Sequence, residues 1–132
     1  MNPCTDAELE AVVKLVGDAR HVVIGTSADP VSQANGERIA EAWGGLVLAT
    51  VTWPETAASW LRQARRFADP DPDVWVVTAA PGGWLGMARR LALSTSWSPH
   101  RTVVTAALAA APKLPGLRGA RPDGTTWQVE EK

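Results

Sequence analysis

Residues 74–90, "VWVVTAAPGGWLGMARR", decide how the chain folds. The apolar, β-branched run "VWVVTAA" reads as a strand buried on both faces, and "LGMARRLALST" (85–95) carries Leu85, Ala88, Leu91 and Ala92 at helical spacing. A strand, a glycine-rich turn and a helix in this order form the joint at which many α/β proteins hold a phosphate. The spacing argues against that use here. A dinucleotide loop needs G-x-G-x-x-G after the first strand of its unit, and a P-loop needs G-x-x-x-x-G-K-[ST]. "PGGWLG" (81–86) is neither, and the ring of Trp84 competes for the space of a phosphate. Gly82 and Gly83 therefore read as a turn that requires positive φ.

Outward from this joint the same alternation repeats. "TDAELEAVVKLVGDARH" opens with Thr5 and Glu8 at capping-box spacing and places Leu9, Val12, Val13 and Val16 on one helical stripe. "HVVIGTS" (21–27) is a short apolar strand. Asp29-Pro30 then sets an N-cap and a first-turn proline for a helix that Gly44-Gly45 stops. "LVLATVTW" (46–53) is a second strand, and Pro54 opens a predicted helix, "PETAASWLRQARRFA", whose apolar face is Ala57, Trp60, Leu61, Ala64 and Phe67. "DPDPD" (69–73) breaks the chain, 74–80 is the third strand, and "RTVVTAAL" (101–108) is the fourth.

Four apolar runs separated by helical crossovers predict a three-layer, doubly wound α/β domain of the flavodoxin or Rossmann-like kind. Its parallel sheet has four to five strands in the order 2-1-3-4, with helices on both faces. A single domain over 1–132 is expected, made of an N-terminal helix (1–20), a βαβαβαβ core (21–111) and a Pro/Gly-rich tail (112–132). In the tail, "ARPDGTTWQV" sets Asp123-Gly124 between two extended pieces, which predicts an edge strand or hairpin.

Composition bounds the function. With 45% hydrophobic and 20% charged residues the chain is an ordinary globular one, and a net charge of −1 lacks the basic face of a general nucleic-acid binder. Arg62, Arg65 and Arg66 read as a solvated helix face. Cys4 is a lone cysteine without a disulfide partner, and no Cys/His group has metal-ligand spacing, so neither metal nor cofactor is expected. No apolar run reaches the ~20 residues of a membrane span, and the first residues have no signal-peptide pattern, which leads to an expected cytoplasmic location. Seven tryptophans beside one phenylalanine and no tyrosine are unusual. Because each indole N–H needs a partner when buried, some of these rings should lie at a surface, a cleft or an interface.

In an open parallel sheet, ligands bind beyond the carboxyl ends of the strands. The residues there are Thr26 and Ser27, Thr52, Trp53 and Glu55, Thr78, Gly82, Gly83 and Trp84, and Thr105. Hydroxyls beside stacking rings suit a small polar or amphipathic ligand. Catalytic groups are thin. His21 and His100 fall at the opposite, amino-terminal side of the sheet, Ser27 has no histidine to activate it, Glu55 is a lone carboxylate, and Asp29 reads as an N-cap. No catalytic residue is assigned.

Taken together, Gly44-Gly45, Trp53-Pro54, Asp71-Pro72-Asp73, Met87-Ala88-Arg89-Arg90 and "GLRG" (116–119) resemble one lobe of the type 1 periplasmic binding proteins, the branched-chain amino-acid receptor group. The resemblance spans most of residues 21–120. It implies a non-catalytic small-molecule-binding or regulatory module that takes its ligand at the strand ends. In that family two lobes clamp the ligand, and members carry a hinge and an export signal; this chain has room for one lobe. A homodimer or a partner chain supplying the second wall follows as an expectation. A segment at 25–51 is also similar to the opening of universal stress proteins. Gly83 and Gly86 fit the G-x-x-G half of their nucleotide loop, while Ser96-Trp97 stand where the second half would be. The opening helix and first strand are similar, too, to sugar-isomerase domains and the middle domain of thiamine-diphosphate enzymes, without their diagnostic residues. Two alternatives stay open: an enzyme handling nucleotides or phosphosugars through the 81–86 loop, and a protein-interaction domain whose contact surface the tryptophans mark.

Overall fold

A computed structural model describes residues 2–109, 111 and 114–130; of the predicted tail, Pro112, Lys113, Glu131 and Lys132 lie outside the described residues. Helix α1 (Asp6–Val16) leads into β1 (His21–Ser27), followed by α2 (Pro30–Trp43), β2 (Leu46–Trp53), α3 (Leu61–Ala68), β3 (Val74–Thr78) and α4 (Pro81–Ser94). The short strands β4 (Thr102–Val104), β5 (Arg118–Ala120) and β6 (Thr126–Gln128) complete one sheet of order β2-β1-β3-β4-β5-β6. The first five strands pair in parallel, and β6 runs antiparallel to β5. This is the expected doubly wound α/β fold with two strands added at the edge, and the added pair is the hairpin built on Asp123-Gly124, where Gly124 adopts φ 87°. No helix of the described residues is long and apolar enough to cross a membrane.

The strand period of two divides the core. Val22 and Ile24 of β1, Val74 and Val76 of β3 and Val103 of β4 face α1 and α2, where Val12, Val16 and Ile39 meet them. Val23, Trp75, Val77 and Val104 face α3 and α4, against Phe67, Met87 and Leu91. Strands buried on both sides explain the near-continuous apolar runs. Local chemistry sets several boundaries. Thr5 Oγ1 accepts the Glu8 N–H at 3.1 Å at the start of α1, Asp29 accepts the Ser32 N–H at 2.9 Å at the start of α2, and Gly44 ends α2 at φ 76°.

Four expectations are corrected. Gly82 and Gly83 are not a turn: neither has positive φ, and both lie in the first turn of α4, which begins at Pro81. Their lack of a side chain answers crowding instead. A Cβ on Gly83 would sit 2.9 Å from the Pro54 carbonyl and 3.0 Å from the Glu55 carboxylate. Secondly, α3 starts at Leu61 rather than Pro54. The Trp60 indole donates to the Pro54 carbonyl at 3.0 Å, folding 54–60 into a loop over the start of α4. Thirdly, β4 ends at Val104, because the Ala106 N–H turns to the Glu8 carboxylate at 2.8 Å and a 3-10 turn (Ala106–Leu108) follows. Finally, β3 ends at Thr78 rather than Ala80, whose N–H donates to Ser27 Oγ at 2.9 Å. At the edge the expected order gives it, β2 leaves Leu46 and Leu48 60% and 40% exposed.

Candidate functional site

Helix α1 packs against α2 and across β4 and β5, and its first turn arrives at the carboxyl edge of the sheet, where Glu8 meets Ala106. There it meets the start of α4 and the segment after β4. Between them lies an open cleft of about 480 Å³, lined by Cys4, Glu8, Asn35, Ala80, Pro81, Thr105 and Ala106 among others. It sits where a doubly wound sheet offers a ligand crevice. Its polar groups are deeply set: Glu8 is 4% exposed, Asn35 2% and Thr105 1%. Asn35 Oδ1 accepts the Cys4 N–H at 2.9 Å, and the Cys4 thiol donates to Glu8 Oε2 at 3.4 Å. Burial, reinforced by the neighbouring Glu8 charge, pushes the Cys4 thiol up to about 12. The thiol is therefore a neutral donor and no nucleophile near neutrality.

The sequence-predicted residues divide among three environments. Thr26 and Thr78 continue the rows of β1 and β3 that face α1 and α2. Thr26 Oγ1 meets Thr52 Oγ1 at 3.1 Å, beside a small cavity of about 140 Å³ that also touches Gly36 and Glu37. Thr78 is fully buried with its hydroxyl unpartnered. Thr105 alone of the four threonines lines the larger cleft. They do not share one crevice.

Ser27 is buried as a brace. Its hydroxyl donates to Asp29 Oδ1 at 2.5 Å and accepts the Ala80 N–H at 2.9 Å, tying the end of β1 to the β3–α4 joint. At Asp29, burial pushes the carboxyl up, but hydrogen bonds from Ser27 and Ser32 outweigh it and hold the group below its ordinary value.

Trp53 and Trp84 are core residues, and Trp84 also lines, with Gly82 and Trp60, an open groove of about 700 Å³ along α4. Their exposures are 0% and 1%, and their rings lie 6.1 Å apart inside the α3/α4 layer, where Trp97 meets Trp84 edge-on at 5.9 Å. The Trp75 indole donates to the Phe67 carbonyl at 2.8 Å, whereas the Trp53 and Trp97 indoles are buried without a partner. Four of the seven rings are thus core, and Trp43, Trp60 and Trp127 are half-buried.

Gly82, Gly83 and Glu55 form one unit: Glu55 Oε2 accepts the Gly83 N–H at 3.0 Å. The chain's own carboxylate occupies the start of α4, the position an anion would take. Sequence reasoning missed Cys4, Glu8 and Asn35. The spacing of Thr5 and Glu8 was the available signal, and it pointed to a capping box in which Glu8 reaches back to its own helix. Only half of that box forms, because the Glu8 side chain turns outward to Ala106 and Cys4.

No family model matches the sequence, and no curated protein matches it. The fold, by contrast, is shared with solved structures. A Rhodospirillum rubrum protein assigned to branched-chain amino acid ABC transport superposes with a TM-score of 0.69 at 17% identity, over 88% of this chain and 37% of that one. An extracellular ligand-binding receptor from Rhodopseudomonas palustris HaA2 gives 0.65 at 17% identity, over 79% and 30%. An R. palustris ABC-transporter solute-binding protein in complex with 4-hydroxybenzoate gives 0.58 at 18% identity, over 77% and 29%. The chain spans about a third of the length of these proteins. With its parallel sheet, its strand order and these superpositions together, the chain has the fold of one lobe of a type 1 periplasmic binding protein.

Proposed function

We propose that this protein is a small-molecule-binding module that takes its ligand at the carboxyl edge of the sheet and performs no chemistry on it. The observation that carries the reading is the cleft bounded by Glu8, Asn35 and Thr105, with recessed polar groups, beyond the carboxyl ends of β3 and β4 in a fold shared with solute-binding proteins. Thr105 is the residue of the sequence-predicted set that belongs to it. Ser27 acts one step back, by bracing Ala80 at the cleft's edge. By resemblance, the opposite wall of the cleft comes from a second lobe, either of a longer protein or of a partner chain. A second copy of this chain is one such partner, and light scattering at high concentration distinguishes self-association from a 14.0 kDa monomer.

Isothermal titration calorimetry against amino acids, 4-hydroxybenzoate, simple amines, sugar phosphates and ATP tests the reading. Saturable heat with one small organic class, lost in a Thr105→Trp variant that fills the cleft, is the expected result. Saturable binding of ATP or a sugar phosphate that Thr105→Trp leaves intact, but Gly82→Trp removes, would favour nucleotide handling at the 81–86 loop instead.

A further inference from the structure

The charge of the cleft selects its ligand. Glu8 is the ionisable carboxylate set into it, and both donors the chain places on that group meet a single oxygen: the Ala106 N–H at 2.8 Å and the Cys4 thiol at 3.4 Å both reach Oε2. Among the described residues no donor meets Oε1, and no lysine, arginine or histidine lines the cleft. Arg38 approaches from α2 but is engaged elsewhere. Its Nη1 donates to the Cys4 carbonyl at 2.6 Å and its Nη2 pairs with Asp6 at 3.3 Å. A recessed carboxylate with one oxygen lacking a donor and no cationic side chain beside it, met only by the Ala106 N–H, the Cys4 thiol and the positive end of α1, favours a ligand that brings a cationic donor. Thr105, 1% exposed and lining the same cleft, has a hydroxyl without a partner. Pro3, Ala80, Pro81, Ala107 and Pro122 give the cleft an apolar wall, beside the uncharged polar side chains of Asn2, Thr5 and Asn35.

We propose that the cleft binds an organic ammonium ion: a small primary amine whose –NH3+ donates to Glu8 Oε1 and to Thr105 Oγ1 while its apolar body lies along the proline-rich wall. The proposal rests on the carboxyl-edge reading above and sharpens it. Anionic ligands find no counter-charge here, because the two groups nearest that role are held by the chain's own acids, the start of α4 by Glu55 and Arg38 by Asp6. The occupant would thus differ in sign from the 4-hydroxybenzoate held by the R. palustris solute-binding protein.

Benzylamine and benzoate are matched in shape and opposite in charge, so titrating each into the native protein tests the assignment. Benzylamine should bind about tenfold or more tightly than benzoate at low salt. Glu8→Gln keeps an acceptor for the Ala106 N–H while removing the charge, and should abolish that preference with an unchanged far-UV circular dichroism spectrum. Should Glu8→Gln fail to fold, the benzylamine-to-benzoate ratio of the native protein and its weakening by salt decide alone. Benzoate binding as tightly as benzylamine, or a folded Glu8→Gln that binds benzylamine undiminished, overturns the ammonium assignment and leaves the carboxyl-edge reading standing. Silence toward both probes and toward the whole panel above overturns both.

Discussion

The carboxylate of Glu55 accepts the backbone N–H of Gly83 at 3.0 Å across 28 residues of sequence, so the loop after β2 caps the helix after β3. Ala80, the residue before α4, offers no side-chain cap of its own. The pair explains both the absence of a phosphate cradle and the identity of the two glycines, since any Cβ at Gly82 or Gly83 would strike this carboxylate. Glu55→Ala should lower stability by about 1 kcal/mol through loss of the cap and its charge–dipole term. Urea denaturation measures this, and an unchanged midpoint would mean that α4 is capped by other means.

Beneath the same loop, Gly25 lies against the Trp53 ring. A Cβ there would come within 2.5 Å of Trp53 and 2.7 Å of Phe67, both fully buried. Gly25→Ala should cost about 1–3 kcal/mol by overpacking. Trp53→Leu in the Gly25→Ala background should be less damaging than in the native one, a coupling that a double-mutant cycle reads directly. Additive effects would place the strain elsewhere.

The depressed carboxyl of Asp29 links stability to acid pH. A native value below the ordinary 3.8 means that the unfolded chain takes up this proton first as pH falls. The contribution is present above the unfolded value and drains away as pH drops through the native one. Asp29→Ala should destabilise by about 0.5–2 kcal/mol at neutral pH and flatten the acid limb of the stability curve. Parallel acid limbs for the two proteins would contradict it.

At the alkaline end the sign reverses. Raising the Cys4 thiol from 9.0 to about 12 means that between these values the native state keeps a proton the unfolded chain has lost. Stability is complete below the lower value and declines as pH rises through the upper. Cys4→Ser should shed much of this alkaline slope. In the native protein a thiol reagent should react slowly at mild pH and rapidly once urea unfolds it. Equal rates in both states would show the thiol to be accessible.

Much of the architecture was legible in local pattern. The runs at 21–27, 46–53 and 74–80 announce their strands by β-branched apolar residues, the last run being two residues longer than β3 itself; caps mark α1 and α2, and Asp123-Gly124 the terminal hairpin, because each signal is carried by neighbours in sequence. The candidate site was legible only as a location, the carboxyl edge. Sequence position puts Thr105, Trp53 and Trp84 at that edge alike, whereas a ring's destination depends on which sheet face its strand position addresses and what covers that face.

The sequence by itself determined the alternation of strands and helices, and hence the parallel sheet and the edge on which a cleft could form. Only the tertiary structure decided who stands in that cleft. Glu8 is spaced to cap its own helix, yet its side chain meets Ala106 from 98 residues away, and Glu55 closes the helix start that the glycines advertised. Capping spacing is a property of one turn of chain, whereas the direction a carboxylate finally takes depends on which distant backbone N–H the fold leaves without a partner.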